Sequence, residues 1–408
     1  MHDLTVMVDW LEFAVRWLHV ITAIAWIGSS FYFIALDLGL RKAPDLPPGA
    51  YGEEWQVHGG GFYHIRKYTV APERLPEHLI WHKWQSYWTW LSGFALLVLV
   101  YYLGAEFYLI DPNVMDLEVW QAVAISVVSL GLGWVLYDGL CRSALGHRPQ
   151  VLMLVLFAIL VVFSWGYAQV FSGRAALLHL GAFTATIMSA NVFLIIIPNQ
   201  KIVVADLIAG RTPSPEYGRI AKLRSTHNNY LTLPVLFLML SNHYPLAFAT
   251  EWNWVIASLV FLMGVTIRHF FNTMHATGRM PWWTWAATAA IFVAIMWLST
   301  APMRPGQAEG AELRGAAARF AAADGFEDAY WIVFGRCSMC HAAEPAWQGV
   351  HWPPGGVVLE TPADIARQAR AIYLQSGVTH AMPPANITWM DDAERRAIVE
   401  WYRAATRG

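Results

Sequence analysis

The sequence has few charged residues and few cysteines. Asp, Glu, Lys and Arg together make up 14% of its 408 residues, whereas 56% are hydrophobic and 22 are tryptophan. Soluble globular proteins carry roughly 25% charged residues, so this composition excludes an ordinary soluble protein. Three cysteines are also too few for a disulfide framework.

Several other signals are missing as well. The formal net charge is −2, and the basic residues do not form a stripe with interleaved aromatic residues. Nucleic acid is therefore not an expected partner. The run Gly59-Gly60-Gly61 lacks the strand, the helix and the Lys-Ser/Thr pair of a phosphate-binding loop, so we predict a flexible turn there.

Long apolar runs are abundant along residues 1–300. At about 1.5 Å per residue, each of eight runs is long enough to cross about 30 Å of hydrocarbon. Trp or Tyr lies at the ends of most of them, as at membrane interfaces. We therefore predict an all-α protein in which residues 1–300 form a polytopic, eight-span transmembrane helical bundle. The predicted spans are 13–36, 84–103, 120–140, 151–171, 175–197, 230–248, 252–271 and 282–299.

The distribution of Lys and Arg between these spans predicts their orientation. The odd-numbered connections hold 14 of these residues, and the even-numbered connections hold only Arg174. By the positive-inside rule the odd-numbered connections lie in the cytoplasm. Eight spans then place both termini outside the bacterial inner membrane, in the periplasm. The basic residues counted for the cytoplasm are Arg41, Lys42, Arg66, Lys67, Arg74, Lys83, Arg142, Arg148, Lys201, Arg211, Arg219, Lys222, Arg224 and Arg279.

The motif Cys337-Ser338-Met339-Cys340-His341 is the attachment pattern for c-type haem. Two thiols one helical turn apart add to the haem vinyl groups, and the neighbouring imidazole becomes an axial ligand of the iron. A disulfide or a zinc half-site would use the same cysteines. Zinc would need two more Cys or His ligands at regular spacing, and the remaining cysteine, Cys141, follows an apolar helix.

The second axial ligand should lie downstream of the motif. Met382 is favoured because Pro383 and Pro384 stiffen the loop that would hold its thioether against iron. Met390 and His380 are the alternatives. A haem c held by His341 and Met382 would suit an electron acceptor, since a Met ligand raises the reduction potential.

The composition changes after residue 300. Residues 301–323 are rich in Ala, Gly, Pro and Arg and are predicted to be a linker that includes a short helix. Residues 324–408 read as helices around a Pro-rich loop and a Met loop. Asp391 is predicted to cap the last helix, with Glu394 three residues on, and Ile398, Trp401 and Tyr402 are predicted to form its apolar face. This order resembles a small class I cytochrome c, placed in the periplasm.

Several of the 15 histidines fall inside predicted spans, where ionisable groups are costly and usually mark sites. Two interpretations stay open for them. Pairs of imidazoles would hold b-type haem between helices, or the same side chains would hydrogen-bond one helix to another. The candidates for haem ligation towards the outer half are His19, His179 and His243.

Polar side chains also gather at the predicted cytoplasmic ends of three spans. Arg and amide groups there match a planar, anionic substrate, and His would be its general base. A solvated helix rim is the alternative. The candidate catalytic residues are Arg268, His269, His82 and Asn228, and His227, Asn272, His275 and Gln85 lie near them in the predicted layout.

The string WLHVITAIAWIG at residues 17–28, the eight-span layout and the C-x-x-C-H tail together resemble the membrane-bound urate hydroxylases, or urate oxidases, with a C-terminal cytochrome c domain. The string alone is also similar to membrane haem proteins of the protoporphyrinogen-oxidase type and to copper-resistance membrane proteins.

The resemblance implies an oxidoreductase of purine catabolism that converts urate to 5-hydroxyisourate. Electrons would pass through haem to the c-type haem and onward to the respiratory chain, through a soluble cytochrome c or a terminal oxidase. In this hypothesis His269 or His82 deprotonates urate beside Arg268. The alternatives are a quinol-linked cytochrome b/c carrier without its own organic substrate and a porphyrinogen-oxidase-like haem protein.

Overall fold

The computed structural model describes residues 4–69, 76–299, 313–350 and 353–407. Arg74 and residues 301–312 of the predicted linker lie outside these ranges. Residues 4–299, called the bundle below, are mostly helical. Their elements are α1 (Leu4–Gly39), β1 (Ala50–His58), β2 (Gly61–Tyr68), α2 (Trp84–Leu96), α3 (Ala105–Tyr108), α4 (Val119–Arg142), α5 (Pro149–Val170), α6 (Gly173–Ala190), α7 (Ile197–Ile208), α8 (Pro215–Ser241), α9 (Pro245–Phe248), α10 (Asn253–Thr277) and α11 (Trp283–Ser299).

Five described helical segments are long and apolar enough to cross a bilayer, as expected for a membrane protein. Helix α11 is apolar but shorter. The predicted span 84–103 consists of α2 continued by a wider, π-type turn at Leu97–Tyr102. The predicted span 230–248 is the second half of α8 and the short α9. The eight-span count stays a prediction. The five segments are Val6–Gly39, Val119–Arg142, Pro149–Val170, Gly173–Ile208 and Asn253–Thr277.

Local sequence explains where these helices begin and end. Ser172 Oγ accepts a hydrogen bond from Ala175 N at the start of α6, and Ser214 caps α8 ahead of Pro215. Helix α10 ends at Gly278, whose φ of 71° is the left-handed conformation that glycine adopts without strain.

The bundle core lies among α4, α5, α6, α8 and α10. Gly264 of α10 packs on the ring of Pro234 in α8, where an added Cβ would lie 2.4 Å from Pro234 Cδ. Large apolar side chains such as Ile24, Leu154 and Val128 stay exposed on the outside. An apolar outer surface of this extent is suited to lipid rather than to water.

The expectation of an all-α fold was wrong for the first long connection, whereas the turn expected at residues 59–61 is present as the turn of a β-hairpin. Strands β1 and β2 form an antiparallel hairpin in which His58 pairs with Gly61. Gly59 and Gly60 both have positive φ, 60° and 78°, as the tight two-residue turn requires. The alternation of side chains along strand β1 is the sequence pattern that indicates this hairpin. Three consecutive glycines nevertheless suggested a flexible segment.

The connection between the predicted spans 175–197 and 230–248 is largely helical. Helix α6 continues through a π-type turn at Asn191–Ile196 into α7, and α8 begins at Pro215. Only residues 209–214 separate these two helices. The hydrophobicity of the sequence predicted the apolar middle of each helix. It did not predict that the helices continue as polar segments beyond the predicted membrane.

Residues 313–407, called the tail below, pack around their own core. Phe320, Trp401 and Tyr373 are fully buried in it, and Trp401 Nε1 donates to Phe320 O at 2.9 Å. The short α12 therefore belongs to the tail, although it lies within the predicted linker. The capping box of Asp391 and Glu394 is confirmed. The tail helices are α12 (Gly315–Ala321), α13 (Phe326–Cys337), α14 (Pro362–Arg367), α15 (Ala369–Ile372) and α16 (Asp392–Thr406).

Candidate functional site

The C-x-x-C-H motif lies where α13 ends. Cys337 is the last residue of the helix, and Cys340 N and His341 N both donate to Cys337 O, at 3.2 and 2.9 Å. The backbone thus makes one more turn after the helix, which brings the two cysteines and the histidine close together along the chain. Both cysteines are free thiols.

The chemistry of this donor set fits a c-type haem. His341 Nδ1 donates to Val357 O at 2.9 Å, which fixes the tautomer and leaves the lone pair of Nε2 for a metal. Burial raises the pKa of the Cys337 thiol to about 12 and also raises that of Cys340. Both sulfurs are therefore neutral thiols that can add across vinyl groups.

The candidates for the second axial ligand differ in their surroundings. Met390 is 2% exposed and lies within the tail core, and its backbone N and O both bond to Asn386. His380 is exposed, and Met382 is half-buried. Met382 is therefore the less enclosed of the two methionines. The assignment stays a prediction.

A residue that the sequence did not single out holds the Met382 loop. The Arg395 guanidinium, on α16, is buried and donates through Nη1 to Ser376 O at 2.7 Å and to Met382 O at 3.0 Å. Its Nη2 donates to Asn386 Oδ1 at 3.2 Å. One side chain thus ties the last helix to three points of the loop.

Replacing Arg395 with leucine should loosen this loop. Buried carbonyls would lose their donor, and such losses cost about 2–4 kcal/mol, which corresponds to about 30- to 1,000-fold weaker protection. Hydrogen exchange of peptides spanning 374–390 in the full-length protein measures the effect. Exposed Arg396 provides the matched control, Arg396→Leu. Unchanged protection in Arg395→Leu would contradict the assigned role.

The three histidines proposed as b-haem ligands lie in different settings. His179 is fully buried; its Nδ1 donates to Ala175 O, and its Nε2 accepts from Ser126 Oγ, both at 2.8 Å. Iron ligation by His179 would therefore have to displace Ser126. His19 Nδ1 donates to Thr89 O at 3.0 Å, which leaves Nε2 as its ligating atom.

His243 is exposed just beyond the end of α8. The described contacts do not bring His19, His179 and His243 together as a pair of facing imidazoles. The helix-linking interpretation accounts directly for the bond of His179 Nε2, because its partner Ser126 lies on α4.

Arg268 lies at the centre of one polar network. Its side chain is buried on α10; Nε donates to Asn229 Oδ1 at 3.3 Å, and Nη2 donates to Asn272 Oδ1 at 3.0 Å. Asn272 Nδ2 also donates to Asn229 Oδ1, at 2.9 Å. The guanidinium carbon lies 4.0 Å from the centre of the Phe31 ring. Helices α1, α8 and α10 therefore meet at this cation.

The charge of Arg268 is not neutralised within the described part of the chain, where no carboxylate lies at ion-pair distance from it. The buried Nδ2 of Asn229 has no acceptor among the same residues. A buried cation without a counter-charge costs several kcal/mol, most of all at membrane depth. Together these donors form a site that an acceptor-rich anion would satisfy.

Asn228 belongs to a second network, on a different face of α8. Its Oδ1 accepts from Asn191 Nδ2 at 2.9 Å, and its Nδ2 donates to Met188 O at 2.9 Å. Both polar atoms of this amide therefore tie α8 to α6. The structure does not bring Asn228 together with Arg268.

The second network also contains a buried arginine, but this one is neutralised. Arg224 Nη2 pairs with Asp138 Oδ1 at 2.6 Å, and its Nη1 donates to Asn191 Oδ1 at 3.0 Å. His227 Nδ1 accepts from Tyr137 OH at 2.8 Å. Because Arg224 already has its counter-ion, we interpret this network as one that holds α4, α6 and α8 together rather than as a ligand site.

The two candidate bases, His269 and His82, differ in their position relative to Arg268 and in exposure. His269 follows Arg268 on α10; its Nδ1 lies 3.4 Å from Tyr230 OH, and its ring lies 6.0 Å from that of Trp283. His82 is exposed, with its ring 4.8 Å from the Phe33 ring on α1. Phe33 and Phe31 are two residues apart on α1 and therefore point to different faces of that helix, so these contacts do not bring His82 to Arg268.

The residues that sequence reasoning missed are Asn229, Asn191, Asp138 and Tyr137. A signal for them existed, because consecutive amides at residues 228–229 and an amide inside the run 191–197 are unusual in apolar helices. Which partner each amide meets depends on helix rotation, and hydrophobicity alone does not fix that rotation.

Comparison with known families bears directly on the bundle. The family model for the N-terminal part of urate oxidase matches residues 5–299. The chain belongs to the urate oxidase N-terminal family. The name of this family indicates a urate-related oxidoreductase. The long apolar helices are consistent with a membrane protein. The match ends with α11, so the tail lies outside it. No curated protein and no solved structure matches the chain.

Proposed function

We propose that this protein is a membrane-bound urate hydroxylase that oxidises urate to 5-hydroxyisourate in the bundle and delivers the electrons to a c-type haem on the tail. The observation that carries the proposal is the buried Arg268, which has no carboxylate at ion-pair distance among the described residues, inside a region that matches the urate oxidase family. Urate is a planar anion rich in hydrogen-bond acceptors, and a guanidinium with an amide donor suits it.

The proposed reaction balances without peroxide. Urate and water yield 5-hydroxyisourate, two protons and two electrons. Arg268 and Asn229 would bind and orient the anion, while His269 or His82 takes the ring proton. Asn228 would act at a distance by fixing α8 against α6. Phe31 closes one side of the guanidinium and limits access of water to it.

Cys337, Cys340, His341 and Met382 are the residues that would hold the c-type haem. When bound, such a haem takes up and returns one electron at a time, so each urate requires two transfers. His341 holds its imidazole in place through Val357 O, and Arg395 holds the loop of Met382. His19, with a free Nε2, is the best-placed bundle histidine for an additional b-type haem.

Location follows from the same proposal. The basic connections would face the cytoplasm of a bacterium, and both the first residues and the tail would face the periplasm. A soluble cytochrome c or a terminal oxidase would then receive the electrons. The domain limits proposed are residues 1–300 for the bundle, 301–323 for the linker and 324–408 for the cytochrome domain, with α12 packing onto the last of these.

A steady-state assay without oxygen tests the function. Purified protein in nanodiscs should oxidise urate with ferricyanide as the one-electron acceptor, consuming two ferricyanide per urate. A quinol-linked carrier would instead reduce ferricyanide with a ubiquinol analogue and ignore urate. The second result would overturn the proposal in favour of the cytochrome b/c alternative.

A further inference from the structure

The tail rests on one end of the bundle, and the contact is charged. Three arginines of the tail meet three carboxylates of the bundle: Arg370 pairs with Asp9, Arg319 with Glu106 at 3.1 Å, and Arg314 with Asp116 at 3.3 Å. In all three ion pairs the basic group belongs to the tail and the acidic group belongs to the bundle. Asp9, Glu106 and Asp116 are called the acidic rim below.

Arg370 is the most enclosed member of this contact. Its side chain is 18% exposed, against 46% for Arg319 and 51% for Arg314. Besides Asp9, at the start of α1, it donates through Nη1 to Tyr108 OH at 3.2 Å, on α3. A change of charge at Arg370 should therefore disturb the contact more than a change at either of the other two arginines.

The apolar part of the contact is small. Phe107 packs on Phe320 with ring centres 6.0 Å apart, and Gly356 lies against the Pro245 ring. Between these points the two parts enclose a cavity of about 980 Å³, with a second cavity of about 280 Å³ beside Arg370. Permanent interfaces are closely packed and apolar, whereas contacts between mobile domains are more polar.

The covalent connection allows such a contact to be weak. The bundle helix α11 ends at Ser299, and the described tail starts at Leu313. Thirteen connecting residues span at most about 45 Å, so the tail stays at an effective concentration near the millimolar range. Exposed ion pairs of modest strength are then sufficient for docking and remain sensitive to salt.

We propose that the acidic rim is a reversible docking surface whose partner is the arginine face of the chain's own tail. In the docked form the loop of Gly356 and Val357, whose carbonyl holds His341, lies against α9 of the bundle. Release of the tail would expose that loop to a soluble electron acceptor. This last step rests on the proposed function; the docking itself does not.

Crosslinking tests the docking. Glu106→Cys with Arg319→Cys, both at exposed positions, provides attachment points for a short bis-maleimide in the haem-loaded, full-length protein. At low salt a crosslink within one chain should form, and at about 1 M NaCl, where charges more than about 3 Å apart are screened, its rate should fall about tenfold. The salt comparison needs no further substitution, so it does not depend on how a charge variant folds.

Charge reversal tests the assigned residues. In the same background Arg370→Glu should slow crosslinking at low salt about tenfold, and adding Asp9→Arg should restore it, because the pair is then reversed rather than lost. Arg396→Glu, an exposed reversal elsewhere on the tail, should have no effect. The proposal would be overturned if the crosslinking rate changed neither with salt nor with Arg370→Glu, or if no crosslink formed. The assay contains no urate, so failure of the urate proposal would leave its result unchanged.

Discussion

Arg268→Ala should lower kcat/KM for urate by at least about a hundredfold while the protein still folds and carries its c-type haem. The substitution removes the buried cation that we propose binds the urate anion, and losing one charged hydrogen-bonding partner at a buried site costs about 2–5 kcal/mol. Steady-state oxidation of urate with ferricyanide provides the measurement. Arg268→Lys should recover only part of the activity, since lysine keeps the charge but not the planar fork.

Two other arginines distinguish binding of urate from general stability. Arg279, exposed beyond the end of α10, provides the matched control, and Arg279→Ala should leave kcat/KM unchanged. Arg224→Ala should instead lower the thermal midpoint, because it removes the buried ion pair with Asp138 and leaves buried Asn191 Oδ1 without its donor. If Arg268→Ala oxidised urate like the unaltered protein, Arg268 would not belong to the substrate site.

The double substitution Cys337→Ala and Cys340→Ala should abolish electron delivery from urate to an external acceptor. Without both thiols no haem can be attached covalently, whereas the proposed urate site around Arg268 is left unaltered. Pyridine haemochrome of the denatured protein measures covalent haem, and equilibrium titration measures urate binding. We expect no covalent haem, rates at background and an unchanged dissociation constant.

The third cysteine supplies the control for this prediction. Cys141 is buried in the bundle core, far along the chain from the motif, and Cys141→Ala should keep both the covalent haem and the rate. Retention of full urate-dependent electron delivery by the double variant would show that the tail motif takes no part in the reaction.

How much the sequence could predict differs between the two halves of the chain. In the tail, local rules were enough: the capping box of Asp391 and Glu394 and the burial of Ile398, Trp401 and Tyr402 are both confirmed. These features depend on residues three or four apart, whose relation is set by helix geometry alone.

In the bundle, the long apolar helices were predicted well, but their lateral neighbours were not. Asn228 and Asn229 are adjacent in sequence, yet one faces α6 and the other faces α10. A rotation of about 100° per residue separates them, and only the packing of α8 on both neighbours decides which amide meets Arg268. The sequence therefore indicated which polar residues lie inside the bundle, but it did not indicate that they form two separate networks.

The hairpin after α1 shows another limit. Arg41 pairs with Glu53 across the sheet, and Glu53 also contacts His64 and Arg66. The hydrogen bond from His64, and after it the one from Arg66, hold the pKa of the Glu53 carboxyl below its usual value. Such cross-strand pairs depend on a register that Gly59 and Gly60 set, and the triplet of glycines was read as flexibility.

Anaerobic mixing of urate with the oxidised, full-length protein in a stopped-flow spectrometer tests the central claim most directly. The account predicts that the absorption bands of the c-type haem become those of the reduced form, with one urate reducing two protein chains, and that Arg268→Ala fails to respond to urate while ascorbate still reduces it. Haem bands that stay oxidised with urate but respond to ascorbate or a quinol would contradict it.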